Sequence, residues 1–423
     1  MLQLKYLREN KEAVLKALEK RNFKETKLID LLLELDKKRR KIQTDLDQQL
    51  TEANNLAKEI GKLFKSGAAE KASNLKKRSA ELKSISNELQ EDLQETELQL
   101  RSLRLQIPNI PQEIVPSGTS KEDNIETERG GTIPFLSADA LPHWELAKKY
   151  DLIDFELGSK ITGAGFPVYK GKGARLQRAL INYFLDKNTA AGYKETQVPL
   201  LVNELSGYGT GQLPDKEGQM YHITGDDLYL IPTAEVPLTN IFRDEILEEK
   251  ALPICLTGYT PCFRREAGSY GSHVRGLNRL HQFDKVEIIR LETPERSEAA
   301  LKGMVDHVRE ILIELEIPYR ILLLCAGDLG FTSALTYDFE LFSTAQDKWL
   351  EISSISTFEG FQSERLRLRY KAKDGSKRLV HTLNGSSLAL PRVLAGILEN
   401  YQTPKGIKIP KALIPYTGFD LIS

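Results

Sequence analysis

Two neighbouring stretches of the chain carry side chains that could bind a charged ligand. Residues 257–269, TGYTPCFRREAGS, lead through a glycine-rich loop into residues 275–287, RGLNRLHQFDKVE. Both are predicted as strands, along which alternate side chains share a face. The side chains that alternation groups are Arg264 with Glu266 on the first strand, and Phe283 with Lys285 and Glu287 on the second. Such a face is costly to bury unless a ligand satisfies it, although structural ion pairs could also do so.

Two common nucleotide-binding motifs are absent from the sequence. Neither GxGxxG nor GxxxxGK[ST] occurs, so neither a Rossmann fold nor a P-loop has support, and a bound nucleotide is expected on a sheet. The three cysteines, Cys255, Cys262 and Cys325, show no paired metal-like spacing. They argue against a disulfide framework or a zinc finger.

The region that must position these side chains mixes helices with short strands. Helices are predicted at 174–190 and 293–315. Strands are predicted at 197–202, 228–231, 256–263, 281–290, 319–324, 351–357 and 378–383. Because no βαβ repeat organises them, we expect an α+β fold with a mostly antiparallel sheet flanked by helices.

The amino-terminal part predicts a long helical hairpin. Residues 1–107 contain none of the 18 prolines and two of the 29 glycines. Two mostly apolar stripes follow the heptad spacing of a coiled coil. The first is Leu32, Leu35, Arg39, Ile42, Leu46, Gln49, Ala53, Leu56, Ile60 and Leu63, and the second is Leu75, Leu82, Ile85, Leu89, Leu93, Leu100 and Leu103. A break at residues 65–68 makes the two arms antiparallel, with the hairpin spanning about 26–104.

The first proline, Pro108, marks the end of this arm, because proline removes a helical hydrogen bond and restricts the residue before it. We therefore divide the chain into a helical arm at 1–107, a polar, extended linker at 108–133 and a catalytic domain at 134–423.

Basic residues are concentrated near the tip of the hairpin. Eight basic residues stand against three acidic ones between Lys58 and Lys83. The basic ones are Lys58, Lys62, Lys65, Lys71, Lys76, Lys77, Arg78 and Lys83. They could simply keep a solvated helix soluble or belong to a coiled-coil dimerisation module. They could also bind the phosphates of a structured RNA by shape, since no base-reading pattern is visible.

The overall charge hides this asymmetry. The net charge of −1 is the sum of +5 in residues 1–107, which hold 23 basic and 18 acidic residues, and −6 in the remainder, which holds 36 and 42. No apolar run approaches the roughly 18 residues that a membrane helix needs. The charged amino terminus, MLQLKYLREN, is unlike a signal peptide, so we expect a cytoplasmic protein without membrane association.

The sequence resembles a known family along nearly its whole length. The segments TPCFRREAGS and RGLNRLHQFDKVE are similar to motif 2 of class II aminoacyl-tRNA synthetases, in the form used by the seryl-tRNA synthetases. Residues 192–202, with Pro199, resemble the dimer-forming motif 1, and residues 381–402 resemble motif 3. Further segments typical of the seryl branch are TGQLP at 210–214, PTAE at 232–235, LCAGDLGF at 324–331, EISS at 351–354 and the hairpin itself.

The resemblance implies an ATP site. Its positions here are Arg264, Arg265, Glu266, Phe283, Glu351, Ile352, Ser353, Ser354 and Arg392. Arg264 would contact the α-phosphate and the amino acid carboxylate, as suits a rigid guanidinium fork, and Arg392 the γ-phosphate from a helix start; these two are the expected catalytic residues. Glu266 would accept from the adenine amino group and Phe283 would stack on its ring. Arg279 is a second candidate for the phosphates.

The resemblance also implies a Mg²⁺ ion held by Glu351 and Ser354, whose oxygen atoms suit that metal. Because residues three apart cannot face one side of a flat strand, we predict a bend or bulge between them.

The serine site implied by the resemblance consists of Thr233, Ala234, Glu235, Arg264, Glu287, Asn384 and Ser386. Thr233 and Glu235, expected to share a face of a strand, would receive the ammonium group, and Glu287 with Ser386 and Asn384 would surround the hydroxyl. Alanine would leave buried polar groups unpaired. Without the resemblance, Asn384 and Ser386 would be predicted as turn residues, because Asn-Gly is a common turn signal.

The implied activity is ATP-dependent activation of L-serine and its transfer to tRNA(Ser), with charging of tRNA(Sec) left open. The serine carboxylate is itself the nucleophile, so none of the six histidines needs a catalytic role. A homodimer is implied, in which the hairpin of one subunit holds the long variable arm of the tRNA at the active site of the other. DNA is not an expected partner.

The motif 2 loop departs from the family at residues 271–275, GSHVR, which weakens the expectation of acceptor-end contacts there. Pro391 and Arg265 also replace smaller residues that are frequent in the family. Two alternatives remain: an amino acid:carrier-protein ligase on the same core, whose relatives lack the hairpin, and a non-catalytic coiled-coil RNA-binding protein, which would not need Arg264, Glu266, Glu351 and Arg392 together.

Overall fold

The computed structural model describes residues 1–66, 68–215, 217–266 and 275–423. The chain divides into two units. The first comprises Met1–Glu19 and Phe23–Pro108, and the second comprises Lys20–Asn22 and Asn109–Ser423. No helix in these described ranges is long and apolar enough to cross a membrane.

The helices are α1 (Leu4–Glu9), α2 (Lys11–Lys20), α3 (Lys27–Lys65), α4 (Ala69–Arg104), α5 (His143–Lys149), α6 (Phe155–Ile161), α7 (Gly171–Ala190), α8 (Glu204–Thr210), α9 (Glu235–Asn240), α10 (Ser297–Glu314), α11 (Phe361–Leu366), α12 (Leu390–Asn400) and α13 (Ile414–Thr417). The helices predicted at 174–190 and 293–315 correspond to α7 and α10, so both predictions are confirmed apart from a few terminal residues.

The strands are β1 (Ile125–Gly130), β2 (Ile153–Asp154), β3 (Val168–Tyr169), β4 (Lys194–Glu195), β5 (Leu201–Asn203), β6 (His222–Ile223), β7 (Leu228–Leu230), β8 (Ile246–Glu248), β9 (Ile254–Phe263), β10 (Gln282–Glu292), β11 (Tyr319–Leu323), β12 (Leu335–Ser343), β13 (Lys348–Glu359), β14 (Arg369–Lys371), β15 (Lys377–Leu379), β16 (His381–Ala389), β17 (Gln402–Thr403), β18 (Gly406–Lys408) and β19 (Leu421–Ile422).

Helices α3 and α4 form the predicted hairpin of the first unit. In α3 the expected stripe is the buried or half-buried one, with Leu32 fully buried. In α4 the expected stripe is wrong at Ile85, which is 38% exposed, because the heptad spacing from Leu82 to Leu89 instead passes through Ser86. Thr96 is buried in the same way, so polar residues occupy core positions that apolarity alone does not identify.

The second unit is built on a mostly antiparallel sheet, as predicted. The described strands form one eight-stranded sheet in the order β1-β11-β12-β13-β16-β10-β9-β4. Within it, β4 pairs with β9 in parallel and the other neighbours pair antiparallel. Helices α7, α10 and α12 contribute the apolar faces that pack against this sheet in the main core. The α+β fold is therefore confirmed.

Two predicted strands are corrected by the structure. The segment 197–202 is irregular until β5 begins at Leu201. The segment 378–383 is divided between β15 and β16, which belong to different sheets. Residues 108–133, predicted as a polar, extended linker, supply β1, which pairs with β11 at one edge of the large sheet.

Candidate active site

Arg264 follows the end of β9 and lies beside the ring of Phe283 on β10. Its backbone N–H donates to the carbonyl of His281 at 2.9 Å, which continues the pairing of the two strands by one residue. The guanidinium carbon lies 5.3 Å from the centre of the Phe283 ring, a cation–π distance, and the Arg264 side chain is exposed. A cation and an aromatic face are thus presented together at the open end of this strand pair.

Glu266 does not share a strand face with Arg264, as was predicted, because β9 ends at Phe263. Glu266 has a left-handed backbone with φ +48° and forms an ion pair with Arg279. Arg265 is exposed, and its backbone N–H donates to the carbonyl of Gln219 at 2.8 Å. Chain reversal after β9, rather than strand alternation, sets the directions of these side chains.

Arg392 lies in the first turn of α12, as predicted, one residue after a proline that the first helical turn tolerates. Two backbone carbonyls orient its guanidinium. Nε donates to the carbonyl of Asn278 at 3.1 Å, and Nη1 donates to the carbonyl of Glu351 at 2.7 Å. The guanidinium remains one-third exposed, so donors are left for a ligand.

A bulge separates the two predicted metal-binding residues on β13. Glu351 is opposite Glu340 on β12 and Ser353 is opposite Phe339, which leaves Ile352 as the extra residue. The predicted bulge is therefore confirmed. Ile352 and Ser353 are buried, and the Ser353 hydroxyl donates to the carbonyl of Ser386 at 2.5 Å.

Asp338 on β12 adds a second carboxylate near Glu351 and Ser354. It pairs with Ser354 in register and accepts a hydrogen bond from its hydroxyl, while its Oδ1 is buried without a hydrogen-bond partner. Burial, followed by the charge of Glu351, raises the pKa of the Asp338 carboxyl well above its usual range. Two carboxylates and a hydroxyl with an unsatisfied oxygen fit a Mg²⁺ ion, which binds few protein oxygens together with substrate phosphates. No cluster of three or more His, Cys, Asp or Glu side chains suited to a metal occurs in the described ranges.

The PTAE segment forms a turn and the start of a helix. Thr233 and Glu235 were predicted to share a strand face, but Glu235 begins α9 and Ala234 precedes it as the cap residue, so this prediction is wrong. The Thr233 hydroxyl accepts from the backbone N–H of Glu235 at 3.2 Å. All three side chains are buried, and the turn aims both polar groups into the same pocket.

Glu287 and Ser386 face each other across the β10–β16 pair. They are register partners, and the Ser386 hydroxyl donates to Oε2 of Glu287 at 3.4 Å. Lys285, two residues earlier on β10, bridges Glu287 at 2.7 Å and the Thr233 hydroxyl at 2.9 Å. A buried ammonium group thus connects the two sides of the predicted serine site.

Glu235 completes the pocket. Its Oε1 accepts from the side-chain amide of Gln362 at 2.6 Å, and the Asn384 side chain also hydrogen-bonds to this carboxylate. Burial, and next the neighbouring charge of Glu287, raise the pKa of Glu235 to about 7, although Gln362, Lys285 and Asn384 oppose the shift. Asn384 lies inside β16, not in the turn that its Asn-Gly sequence alone predicts.

The structure therefore brings together Thr233, Glu235, Glu287, Asn384 and Ser386, and separately aligns Arg264 with Phe283 and Arg392 with Glu351. Sequence reasoning missed Lys285, Gln362 and Asp338 as members of these groups. Strand alternation with Glu287 was a signal for Lys285. Gln362 and Asp338 reach the site through tertiary packing, for which the local sequence carries no signal.

The seven basic residues predicted to bind RNA lie on α3 and α4 near the hairpin turn, and all are exposed. Arg78 is ion-paired with Glu52 at 3.0 Å and with Glu81 at 3.4 Å, and the ammonium of Lys76 lies 4.6 Å from the ring centre of Phe64. The expected departures at residues 271–274 of the motif 2 loop, and Gly67 of the hairpin turn, lie outside the described residues.

Two family models match the chain. Residues 1–111 match the seryl-tRNA synthetase N-terminal domain, and residues 221–401 match the class II tRNA synthetase core domain for the G, H, P, S and T enzymes. The first contains the helical hairpin, and the second contains β9, β10, β13, β16 and most of α12.

Comparisons over the whole chain give the same family. The chain is 49% identical to a serine–tRNA ligase of Salinibacter ruber, covering 99% of this chain and 98% of the relative, and 47% identical to that of Thermotoga neapolitana, covering 100% of both. A crystal structure of seryl-tRNA synthetase from Pyrococcus horikoshii complexed with ATP superposes with a TM-score of 0.91 at 34% identity, covering 100% and 99% of the two chains. A cytoplasmic serine–tRNA ligase from Naegleria fowleri in complex with AMP has a TM-score of 0.85 at 27% identity, covering 98% and 96%. The chain therefore belongs to the seryl-tRNA synthetase family of class II aminoacyl-tRNA synthetases.

Proposed function

We propose that this chain is a serine–tRNA ligase, which activates L-serine with ATP and transfers it to the 3′ end of tRNA(Ser). The observation that carries the proposal is the buried group of Glu235, Glu287, Thr233 and Ser386, which offers hydrogen-bonding partners for both the ammonium and the hydroxyl of serine. Membership of the seryl-tRNA synthetase family supports it.

Serine would be recognised by two buried carboxylates with different tasks. Glu235 and Thr233 receive the ammonium group, and Glu287 with Ser386 receives the hydroxyl. Lys285 already neutralises Glu287, which leaves Glu235 as the carboxylate without a cationic partner at bonding distance among the described contacts. Alanine would lack a group to replace those hydrogen bonds, so a site of this kind can reject it strongly.

ATP would bind across the exposed ends of β9 and β10. Phe283 supplies an aromatic face for adenine, and Glu266 an acceptor for its amino group. Arg264 would contact the α-phosphate together with the serine carboxylate, and Arg392 the γ-phosphate. The serine carboxylate attacks the α-phosphorus and pyrophosphate leaves, so the protein contributes mainly orientation and charge neutralisation.

Mg²⁺ would be held by Glu351 and Ser354, with Asp338 beside them, and it would supply positive charge to the phosphates of ATP. The unpaired buried Oδ1 of Asp338 is the feature of this chain that fits a bound cation.

The tRNA would bind along the basic tip of the hairpin. Lys58, Lys62, Lys65, Lys71, Lys76 and Lys77 are exposed lysines within two neighbouring helices, as suits contacts to a phosphate backbone. The second step passes the seryl group from the adenylate to the terminal ribose of the tRNA. We include a homodimer in the proposal, in which the arm of one subunit serves the active site of the other, and a cytoplasmic location.

The test of this function is aminoacylation by the full chain with ATP, Mg²⁺ and radioactive serine. A tRNA(Ser) transcript is expected to be charged, and the same transcript with its long variable arm shortened is expected to be charged far more slowly. Equal charging of the two would contradict the assigned role of the hairpin. Charging of neither, in the presence of serine-dependent pyrophosphate exchange, would favour a ligase with another acceptor, such as a carrier protein.

A further inference from the structure

A histidine and a glutamate are buried together beside the end of the motif 2 segment. His143 is the first residue of α5, and Glu399 lies in the last turn of α12. Neither side chain has any exposed surface, and Nδ1 of His143 lies 2.6 Å from Oε1 of Glu399. The function proposed above uses neither residue, although burying such a pair is costly unless its hydrogen bonds are satisfied.

A backbone contact fixes the tautomer of His143. The N–H of Leu277 donates to Nε2 of the imidazole at 2.8 Å. An N–H can donate only to an unprotonated ring nitrogen, so Nε2 is the acceptor and Nδ1 carries the proton that is donated to Glu399. The imidazole is therefore neutral, and Glu399 determines which of its two nitrogens is available to Leu277.

Glu399 also reaches the next residue of the same segment. Its Oε1 accepts from the side-chain amide of Gln346 at 2.8 Å, and Oε1 of Gln346 accepts from the side-chain amide of Asn278 at 3.0 Å. Its other oxygen accepts from the hydroxyl of Ser343. Glu399 thus holds Leu277 through His143 and Asn278 through Gln346.

The close approach of the backbone to His143 explains a glycine at this point. Gly276 has φ +67°, and a Cβ added there would lie 2.3 Å from Nε2 of His143. Residues 276–278 therefore run directly against the imidazole, which acts as a fixed support for them.

This support extends to Arg392, because the carbonyl of Asn278 accepts from Nε of that arginine at 3.1 Å. The guanidinium is held between this carbonyl and that of Glu351. We propose that His143, its tautomer fixed by Glu399, is a positioning residue for ATP: it holds the backbone of Leu277 and Asn278 and thereby orients Arg392. This inference rests on the phosphate-binding role proposed for Arg392.

The principal test compares His143→Phe with the wild-type full chain, because phenylalanine keeps a ring but removes both nitrogens. We expect the KM for ATP in serine-dependent pyrophosphate exchange to rise about tenfold, the effect of losing one or two hydrogen bonds, while the KM for serine changes less than about twofold. The backbone amide of Leu277 should also exchange with deuterium about ten times faster.

A matched control separates this role from a general loss of stability. Met304→Ala removes atoms from a fully buried side chain of α10 in the same core and should leave the Leu277 amide as protected as in the wild type. A second variant, Gln346→Ala, leaves the His143–Glu399 pair intact and should give a smaller rise in the KM for ATP. It decides the matter if His143→Phe does not fold.

An unchanged KM for ATP in the variants, or an equal rise in both KM values as for any destabilised chain, would overturn the inference. The deuterium measurement is independent of the proposed function. If the wild type showed no serine-dependent exchange, the proposed function would fail, whereas faster exchange at Leu277 would still show that His143 supports this segment.

Discussion

The ammonium group of Lys285 lies 2.7 Å from Oε2 of Glu287, two residues further along β10, and both side chains are buried. The same ammonium donates to the Thr233 hydroxyl at 2.9 Å. Lys285 thus connects the groups proposed for the ammonium and the hydroxyl of serine, and it keeps the charges of two buried carboxylates from acting alone.

Replacing Lys285 with methionine tests this connection. Removing one partner of a buried ion pair leaves the other charge uncompensated, so we expect the free energy of unfolding to fall by about 3–5 kcal/mol in urea denaturation. The KM for serine should rise by more than about tenfold, because Thr233 and Glu287 lose the group that orients them.

Glu287→Gln and the double variant provide the control for Lys285. If the pair acts as a unit, the double variant should be less destabilised than the sum of the two single variants. Strictly additive changes would show that Lys285 and Glu287 act independently, contrary to the geometry.

The raised pKa of Glu235 predicts a pH dependence. Its pKa is about 7 in the folded chain and 4.5 when unperturbed, so the folded state binds the proton more tightly. The stability that this group contributes is present in full below pH 4.5 and is lost as pH rises through 7. Thermal or urea unfolding across this window should show the trend in the wild type and not in Glu235→Gln.

Serine binding should depend on pH in the opposite sense, because the ammonium group needs an ionised Glu235. The KM for serine is expected to fall as pH rises from about 6 to about 8. In Glu235→Gln the KM should be high throughout this range and nearly independent of pH. A wild-type KM that rises with pH would contradict the assignment of Glu235 to the ammonium group.

The basic tip of the hairpin should determine the salt dependence of tRNA charging. In the variant K62Q/K65Q/K71Q/K77Q each lost phosphate contact should lower the slope of log affinity against log salt by about 0.7–0.9. Nitrocellulose filter binding of tRNA(Ser) at several salt concentrations measures this slope, and pyrophosphate exchange should be unchanged.

Four exposed lysines elsewhere in the same arm serve as the control for the hairpin tip. The matched variant K24Q/K37Q/K38Q/K41Q carries the same change in net charge outside the proposed RNA-binding tip. An equal loss of salt dependence in both variants would indicate a general charge effect and not a defined RNA-binding surface.

The elements that the sequence predicts well are those in which local pattern and burial agree. Heptad spacing predicts α3 and α4, and alternation predicts β9, β10 and their pairing. The α4 stripe is wrong at Ile85 because hydrophobicity was given more weight than strict spacing, and a small polar residue, Ser86, occupies the core position.

The site is predicted less completely, because tertiary contacts decide it. Strand alternation was assumed for Thr233 and Glu235, but the chain enters α9 there and brings both side chains into the pocket from a turn. Gln362 reaches Glu235 from α11, more than a hundred residues away. His143 is similarly distant from Leu277, and no local pattern indicates that contact.

Serine-dependent ATP–pyrophosphate exchange, measured separately with serine, threonine and alanine, tests the central claim most directly. The buried Glu287, Ser386 and Lys285 predict rapid exchange with serine and exchange with alanine lower by a factor of about 10⁴ or more, since alanine leaves these groups unpaired. Threonine should also be a poor substrate. Exchange that does not depend on serine, equal exchange with alanine, or no exchange at all would contradict the account.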